Sequence, residues 1–164
     1  MTNLHHFVLR TRAYDHPHSA RLVRALFDDQ TERYGYADPF ESDPAVYASP
    51  RGLFLVGYLD DVPVACGGYR TYDLRTRTIE IKKMYTLPNL RGHGLGERII
   101  TELERHALAH GAQRSILETG VRNVAALALY IGNGYQPTER YVRDRDPAIN
   151  RAFIKDLAGC PAIP

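Results

Sequence analysis

The sequence predicts an α/β protein with a mixed, mostly antiparallel central sheet flanked by helices. Three observations predict it. Strand-like and helix-like runs alternate in the order β-α-β-β-β-α-β-α-β-β. The three strand runs between residues 52 and 86 are joined by turns of a few residues, too short for a parallel crossover. The chain has 164 residues, 44% of them hydrophobic and 24% charged, which suits one domain, residues 1–164, with a full core.

The elements follow in order. Residues 6–11 read as a first strand. Leu22, Val23, Leu26 and Phe27 recur at helical spacing, which predicts a helix over 17–34. Residues 36–51 hold three prolines and several turn formers, so they read as a loop or a short broken helix. Gly52 to Leu59 and Val62 to Tyr72 are strands joined by Asp60-Asp61, a hairpin signal. Asp73 to Thr76 is a turn into the strand 77–86, which Pro88 and Asn89 close. Leu95, Ile99, Ile100, Leu103 and Ala107 predict a helix over 94–110 ending at Gly111. Ser115 to Thr119 reads as a buried strand. Asn123 starts a short helix that ends around Gly132. Tyr135 to Arg143 and Arg151 to Leu157 read as late strands around the loop Asp144-Arg145-Asp146-Pro147.

A formal net charge of +2 gives no call for nucleic acid or a membrane surface, and no apolar run reaches the length of a membrane span. The polar N-terminus has no secretory segment, which predicts a cytoplasmic protein. Cys66 and Cys160 lack metal or redox spacing; reduced thiols are the simpler expectation, with a disulfide between them left open. His5-His6 and His16-x-His18 have no partners at ligand spacing, so no metal is expected. Charge is uneven, however. Residues 70–98 carry seven Lys/Arg against three acids, whereas residues 13–45 carry seven acids against three Arg.

The basic stretch surrounds Leu90-Arg91-Gly92-His93-Gly94-Leu95-Gly96, a glycine-rich turn between a strand and a helix. Such a turn offers free N–H groups and the positive end of a helix dipole, so it suits a phosphate. It is not the dinucleotide fingerprint, because the third glycine of G-x-G-x-x-G falls on Glu97 or Ile99. It is not the nucleoside-triphosphate loop either, since no Gly-Lys-Ser/Thr follows.

What fits is Arg91-x-x-Gly94-x-Gly96 after a strand, which resembles the pyrophosphate-binding motif of the GCN5-related N-acetyltransferases, the GNAT family. Asn123-x-x-Ala126-x-x-Leu129-Tyr130 followed by Gly134-Tyr135 resembles the second signature of that family. The resemblance implies the acetyltransferase fold, acetyl-CoA as co-substrate and transfer of its acetyl group to an amine. It assigns cofactor contacts to Arg91, Gly92, His93, Gly94, Leu95, Gly96 and Asn123, and pairing with the pantetheine arm to the backbone of Met84, Tyr85 and Thr86. It implies a small-molecule amine as acceptor; a protein lysine or N-terminus, or a coenzyme A-binding regulatory module without turnover, are the alternatives. A homodimer through late strands or sheet edges is compatible with it.

Two residues are the candidates for the chemistry. Glu80 interrupts a strand-forming run eleven residues before Arg91, the spacing at which some family members carry a catalytic glutamate. A carboxylate in a cleft can take the proton that an ammonium must lose before it attacks. The alternative is an exposed strand glutamate paired with Lys82 or an Arg. Tyr130 lies seven residues after Asn123, close to two helical turns, and a phenol can donate to a departing thiolate. Its alternative is a core tyrosine beside Leu127 and Leu129. Acceptor recognition is expected from residues 20–50 and 143–148. The acids of 13–45, with Tyr34, Tyr36, Phe40 and Tyr47 interleaved, suit a cationic amine; Arg143 and Arg145 suit a carboxylate.

Overall fold

The computed structural model describes residues 3–158. Its strands are β1 (Phe7–Thr11), β2 (Gly52–Leu59), β3 (Val62–Asp73), β4 (Thr78–Thr86), β5 (Arg114–Gly120), β6 (Gln136–Thr138) and β7 (Asn150–Asp156). Its α-helices are α1 (Pro17–Tyr34), α2 (Leu95–Ala109) and α3 (Val124–Gly132), and short 3-10 turns lie at Pro44–Tyr47 and Pro88–Leu90. The strands form one sheet in the order β1-β2-β3-β4-β5-β7-β6. Within the described residues the chain divides into two compact units: residues up to Arg70 with Lys82–Leu103, and Thr71–Ile81 with the residues from Glu104 onward.

In the first unit, β1 and β2 pair antiparallel from Phe7↔Leu59 to Thr11↔Leu55. β2 and β3 form the expected hairpin through Asp60 and Asp61, whose φ values of 49° and 65° give the doubly left-handed turn that matches strand twist. α1 buries Leu22, Val23 and Leu26 and ends at Gly35, whose φ of 80° lets its N–H reach the Thr31 carbonyl at 2.8 Å. Tyr14, Leu22, Val23, Tyr47, Phe54, Val56, Tyr58 and Cys66 make the core. Tyr47 stacks on Tyr14 at 4.9 Å and meets Phe54 edge-on at 5.6 Å, which ties the proline-rich segment down. Gly67 marks a close approach, since a Cβ there would lie 2.3 Å from Met84 Sδ.

In the second unit, β5 and β7 pair antiparallel from Arg114↔Asp156 to Gly120↔Asn150. β4 contributes Thr78–Glu80, which pair in parallel with Arg114–Ile116. α3 is capped by Asn123, whose Oδ1 accepts from the Ala126 N–H at 3.2 Å. Tyr135 and Ser115 share a buried hydroxyl contact at 2.8 Å, and Lys155 donates to Glu104 at 2.6 Å.

One element departs from expectation. The strand expected over 135–143 is only Gln136–Thr138, paired with Ala152–Ile154. It is the edge of the sheet, where Pro137 is tolerated. Beyond it the chain leaves the ladder, and the Tyr141 hydroxyl donates to a buried carboxylate. Cys66 is buried and free, and burial pushes its thiol up to about 12; Cys160 lies outside the described residues.

Candidate functional site

The glycine-rich turn lies in the first unit. Gly92 and Gly94 hold φ of 81° and 80°. A Cβ at either would meet nothing within 4 Å, so glycine serves conformation there and not space. The Gly94 carbonyl accepts the Arg98 N–H at 3.2 Å, which makes Gly94 the N-cap of α2. Among the described residues, none of the N–H groups from Gly92 to Glu97 has an acceptor in the chain. Residues 91–94 are exposed. Six consecutive free donors at a helix start fit a diphosphate.

The neighbouring side chains divide. Leu95 is only 2% exposed, so its side chain anchors the helix in the core and only its N–H faces outward. His93 is exposed. Arg91 turns back on its own unit. Its Nε donates to the Thr86 carbonyl at 2.9 Å, its Nη2 lies 3.7 Å from Asp29 Oδ1, and its guanidinium lies 5.4 Å from the Tyr85 ring. Arg91 thereby braces the end of β4 against the turn.

β4 carries a feature with no sequence signal. Lys83 has φ of 61°, a left-handed residue inside a strand, which bends the strand like a bulge. Its side chain, 3% exposed, runs to Asp38 Oδ2 at 2.8 Å and to the Pro39 carbonyl at 2.9 Å. Its carbonyl accepts the Cys66 thiol at 3.3 Å. Met84, Tyr85 and Thr86, the residues expected to pair with pantetheine, follow this bend directly. The pairing of β4 with β5 extends only to Glu80↔Ile116.

The second unit holds both candidates for proton transfer. Glu80 is 4% exposed, which overturns the alternative of a solvated strand glutamate. Lys82 pairs with Asp38 at 3.0 Å instead. One partner of Glu80 is Tyr141, whose hydroxyl donates to Oε2 at 2.7 Å. Burial, and then the charges of Glu80 and Glu118, raise the Tyr141 hydroxyl far above its ordinary value, so it is the donor of this pair. Arg145 Nη1 lies 3.8 Å from the buried Glu118 carboxylate and is not held out for a ligand. Tyr130 is 6% exposed and meets Tyr135 edge-on at 5.9 Å. It is a buried tyrosine, yet its hydroxyl has no protein partner among the described residues, and burial raises its pKa. The Asn123 side chain is engaged as the cap of the same helix.

The acidic surplus of residues 13–45 is neutralised inside the first unit. Asp28, Asp29, Asp38, Glu41 and Asp43 pair with Arg24, Arg33, Lys83, Arg70 and Arg51 respectively. Tyr47 is a core residue and Phe40 stacks on Phe27 at 4.7 Å. Asp38 and Glu41 tie the segment to β4 and β3. Sequence reasoning missed Lys83 and Tyr141. A lysine pair inside a strand and a tyrosine beyond a short edge strand carry no periodic signal; only the fold brings their partners to them.

Among the described residues no group of three or more His, Cys, Asp or Glu is placed to hold a metal ion. The chain matches the Acetyltransferase (GNAT) family over residues 23–135. It is 33% identical over 130 residues to an IAA acetyltransferase from Azospirillum brasilense, covering 76% of this chain and 83% of that protein. A Klebsiella pneumoniae structure described as an acyl-CoA N-acyltransferase superposes with a TM-score of 0.76 at 26% identity, over 92% of this chain and 97% of that one. YncA from Salmonella typhimurium, an acetyltransferase fold solved with its cofactor acetyl-CoA, superposes at 0.70 with 16% identity, over 96% of this chain and 98% of that one.

Proposed function

This chain belongs to the GNAT acetyltransferase family, and from that premise we propose that it moves the acetyl group of acetyl-CoA directly to the primary amine of a small molecule. One observation carries the cofactor assignment: the run of acceptor-free N–H groups from Gly92 to Glu97 at the start of α2. The acetyl-CoA held by YncA supports the same assignment. Each N–H to a charged oxygen contributes about 1.5–3 kcal/mol, so a few of them dominate the affinity.

Acetyl-CoA supplies a thioester carbonyl; the protein supplies position and protons. An ammonium of pKa near 10 is about 99.9% protonated at pH 7. Glu80 takes one proton from it, directly or through one water, which leaves a neutral nitrogen, and gives that proton up after the product has left. The nitrogen forms a bond to the carbonyl carbon, and the carbon–sulfur bond breaks. Tyr130 donates its proton to the departing sulfur, and the second proton lost by the nitrogen restores the phenol through solvent. The raised pKa of Tyr130 keeps it in the acid form that this step needs. A buried Glu80 and a Tyr130 hydroxyl without a protein partner favour turnover over a silent coenzyme A sensor.

The test is release of free thiol from acetyl-CoA with tyramine, spermidine, L-lysine, kanamycin and a lysine-containing peptide. Release with at least one of the small amines is expected. Acetylation of the peptide alone would move the acceptor to the protein class. Tight coenzyme A binding by calorimetry with no release from any acceptor would overturn the enzyme assignment.

A further inference from the structure

The Tyr141–Glu80 contact is not explained by cofactor binding. Both residues belong to the second unit. Glu80 sits in a parallel ladder opposite Ile116, almost without solvent. Tyr141 comes from the connection between β6 and β7, three residues after the ladder ends at Thr138. Its ring meets Tyr72 edge-on at 5.3 Å, which fixes the direction of the hydroxyl. At 2.7 Å, the contact with Glu80 Oε2 is a short, charge-assisted bond. A glutamate has three rotatable bonds before its oxygens, and this contact pins one of those oxygens in place.

We propose that Tyr141 is a positioning residue for the base. It commits Oε2 to the tyrosine and so fixes the orientation in which the carboxylate takes the proton of the incoming amine. It also ties the β6–β7 connection to the base, so that this segment and the proton acceptor are ordered together. The proposal rests on Glu80 acting as the base of the proposed reaction.

Tyr141→Phe removes only the hydroxyl. With the small amine that gives the fastest thiol release, this variant is expected to lose about tenfold in kcat, roughly 1.4 kcal/mol. The KM for acetyl-CoA is expected to stay within about twofold, because no cofactor contact changes. Glu80→Gln is expected to lose more, and adding Tyr141→Phe to it should cost nothing further. Independently of turnover, the Tyr141 hydroxyl proton should give a downfield, slowly exchanging NMR signal. That signal should vanish in Tyr141→Phe and move upfield in Glu80→Gln. A wild-type kcat in Tyr141→Phe, an equal loss in the Glu80→Gln background, or no such proton signal would overturn the role of Tyr141. A wild-type kcat in Glu80→Gln would instead remove Glu80 as base, with the proton signal still reporting the contact.

Discussion

Gly94→Ala tests the phosphate turn directly. Gly94 has φ of 80° and open space around its missing Cβ, so the substitution introduces no clash. It forces either a left-handed alanine, at about 1–2 kcal/mol, or a rotation of the turn to negative φ. Gly35 is a matched control: it also has φ of 80° and nothing within 4 Å, but it caps the far end of α1. Both variants should lose similar stability, a fall in Tm of about 2–8 °C for a chain of this size. Only Gly94→Ala should re-aim the donors at the start of α2. Loss of one N–H to a charged oxygen, about 1.5–3 kcal/mol, raises Kd by about 10- to 150-fold. Isothermal calorimetry with coenzyme A reads this against thermal melts of both variants. If Gly94→Ala melted like Gly35→Ala and bound coenzyme A with wild-type affinity, the backbone donors would not be the diphosphate site.

Tyr130→Phe should cut kcat by about a hundredfold, the lower end of what a general acid supplies, while coenzyme A affinity by calorimetry stays unchanged. Because burial raises the Tyr130 pKa, its acid form persists up to at least about pH 10; a loss of rate between pH 7 and 9 that Tyr130→Phe abolished would contradict this role. Asp38→Ala should strip the counter-charge from Lys83, whose side chain is 3% exposed. Breaking a buried pair costs about 3 kcal/mol or more, so Tm should fall by about 6–12 °C, and an unchanged melt would refute the importance of the strap. Burial keeps the Cys66 thiol protonated, with its pKa pushed up to about 12; iodoacetamide at pH 8 should therefore leave Cys66 unmodified in the folded protein and modify it in urea, as read by peptide mapping.

Much of this molecule was legible because local chemistry and tertiary packing agree. α1 spans the residues that its apolar spacing marks, with Pro17 at its first turn and Gly35 just past its end. Asp60-Asp61 makes the hairpin turn because acidic residues tolerate positive φ better than branched ones. The glycine-rich turn before α2 was legible for the same reason: Gly92 and Gly94 occupy positions where a side chain strains the backbone, and such positions leave a trace in composition. The β6 strand was not legible. Residues 135–143 have the composition of a strand, yet the ladder ends at Thr138. Beyond it Tyr141 bonds a carboxylate some sixty positions earlier in the chain, a contact that no local pattern encodes.

The charge asymmetry shows how a correct count leaves open what the charges are used for. The acids of residues 13–45 are real, but several of their partners come from other elements: Arg70 from β3, Lys82 and Lys83 from β4, Arg91 from the glycine-rich turn. A buried charge needs a partner far more than an exposed one does, so Asp38 is matched to two lysines before any ligand can use it. That match has a second consequence. Lys83 stands in a conformation that a lysine rarely adopts, at a cost of about 1–2 kcal/mol. The bond from its Nζ to Asp38, the bond to the Pro39 carbonyl and the Cys66 thiol on its own carbonyl together hold it there. One acid of that stretch, Asp38, thus serves to hold the bend of β4 just before Met84, Tyr85 and Thr86. What a single sequence hides is not the residue but the direction in which its charge is used.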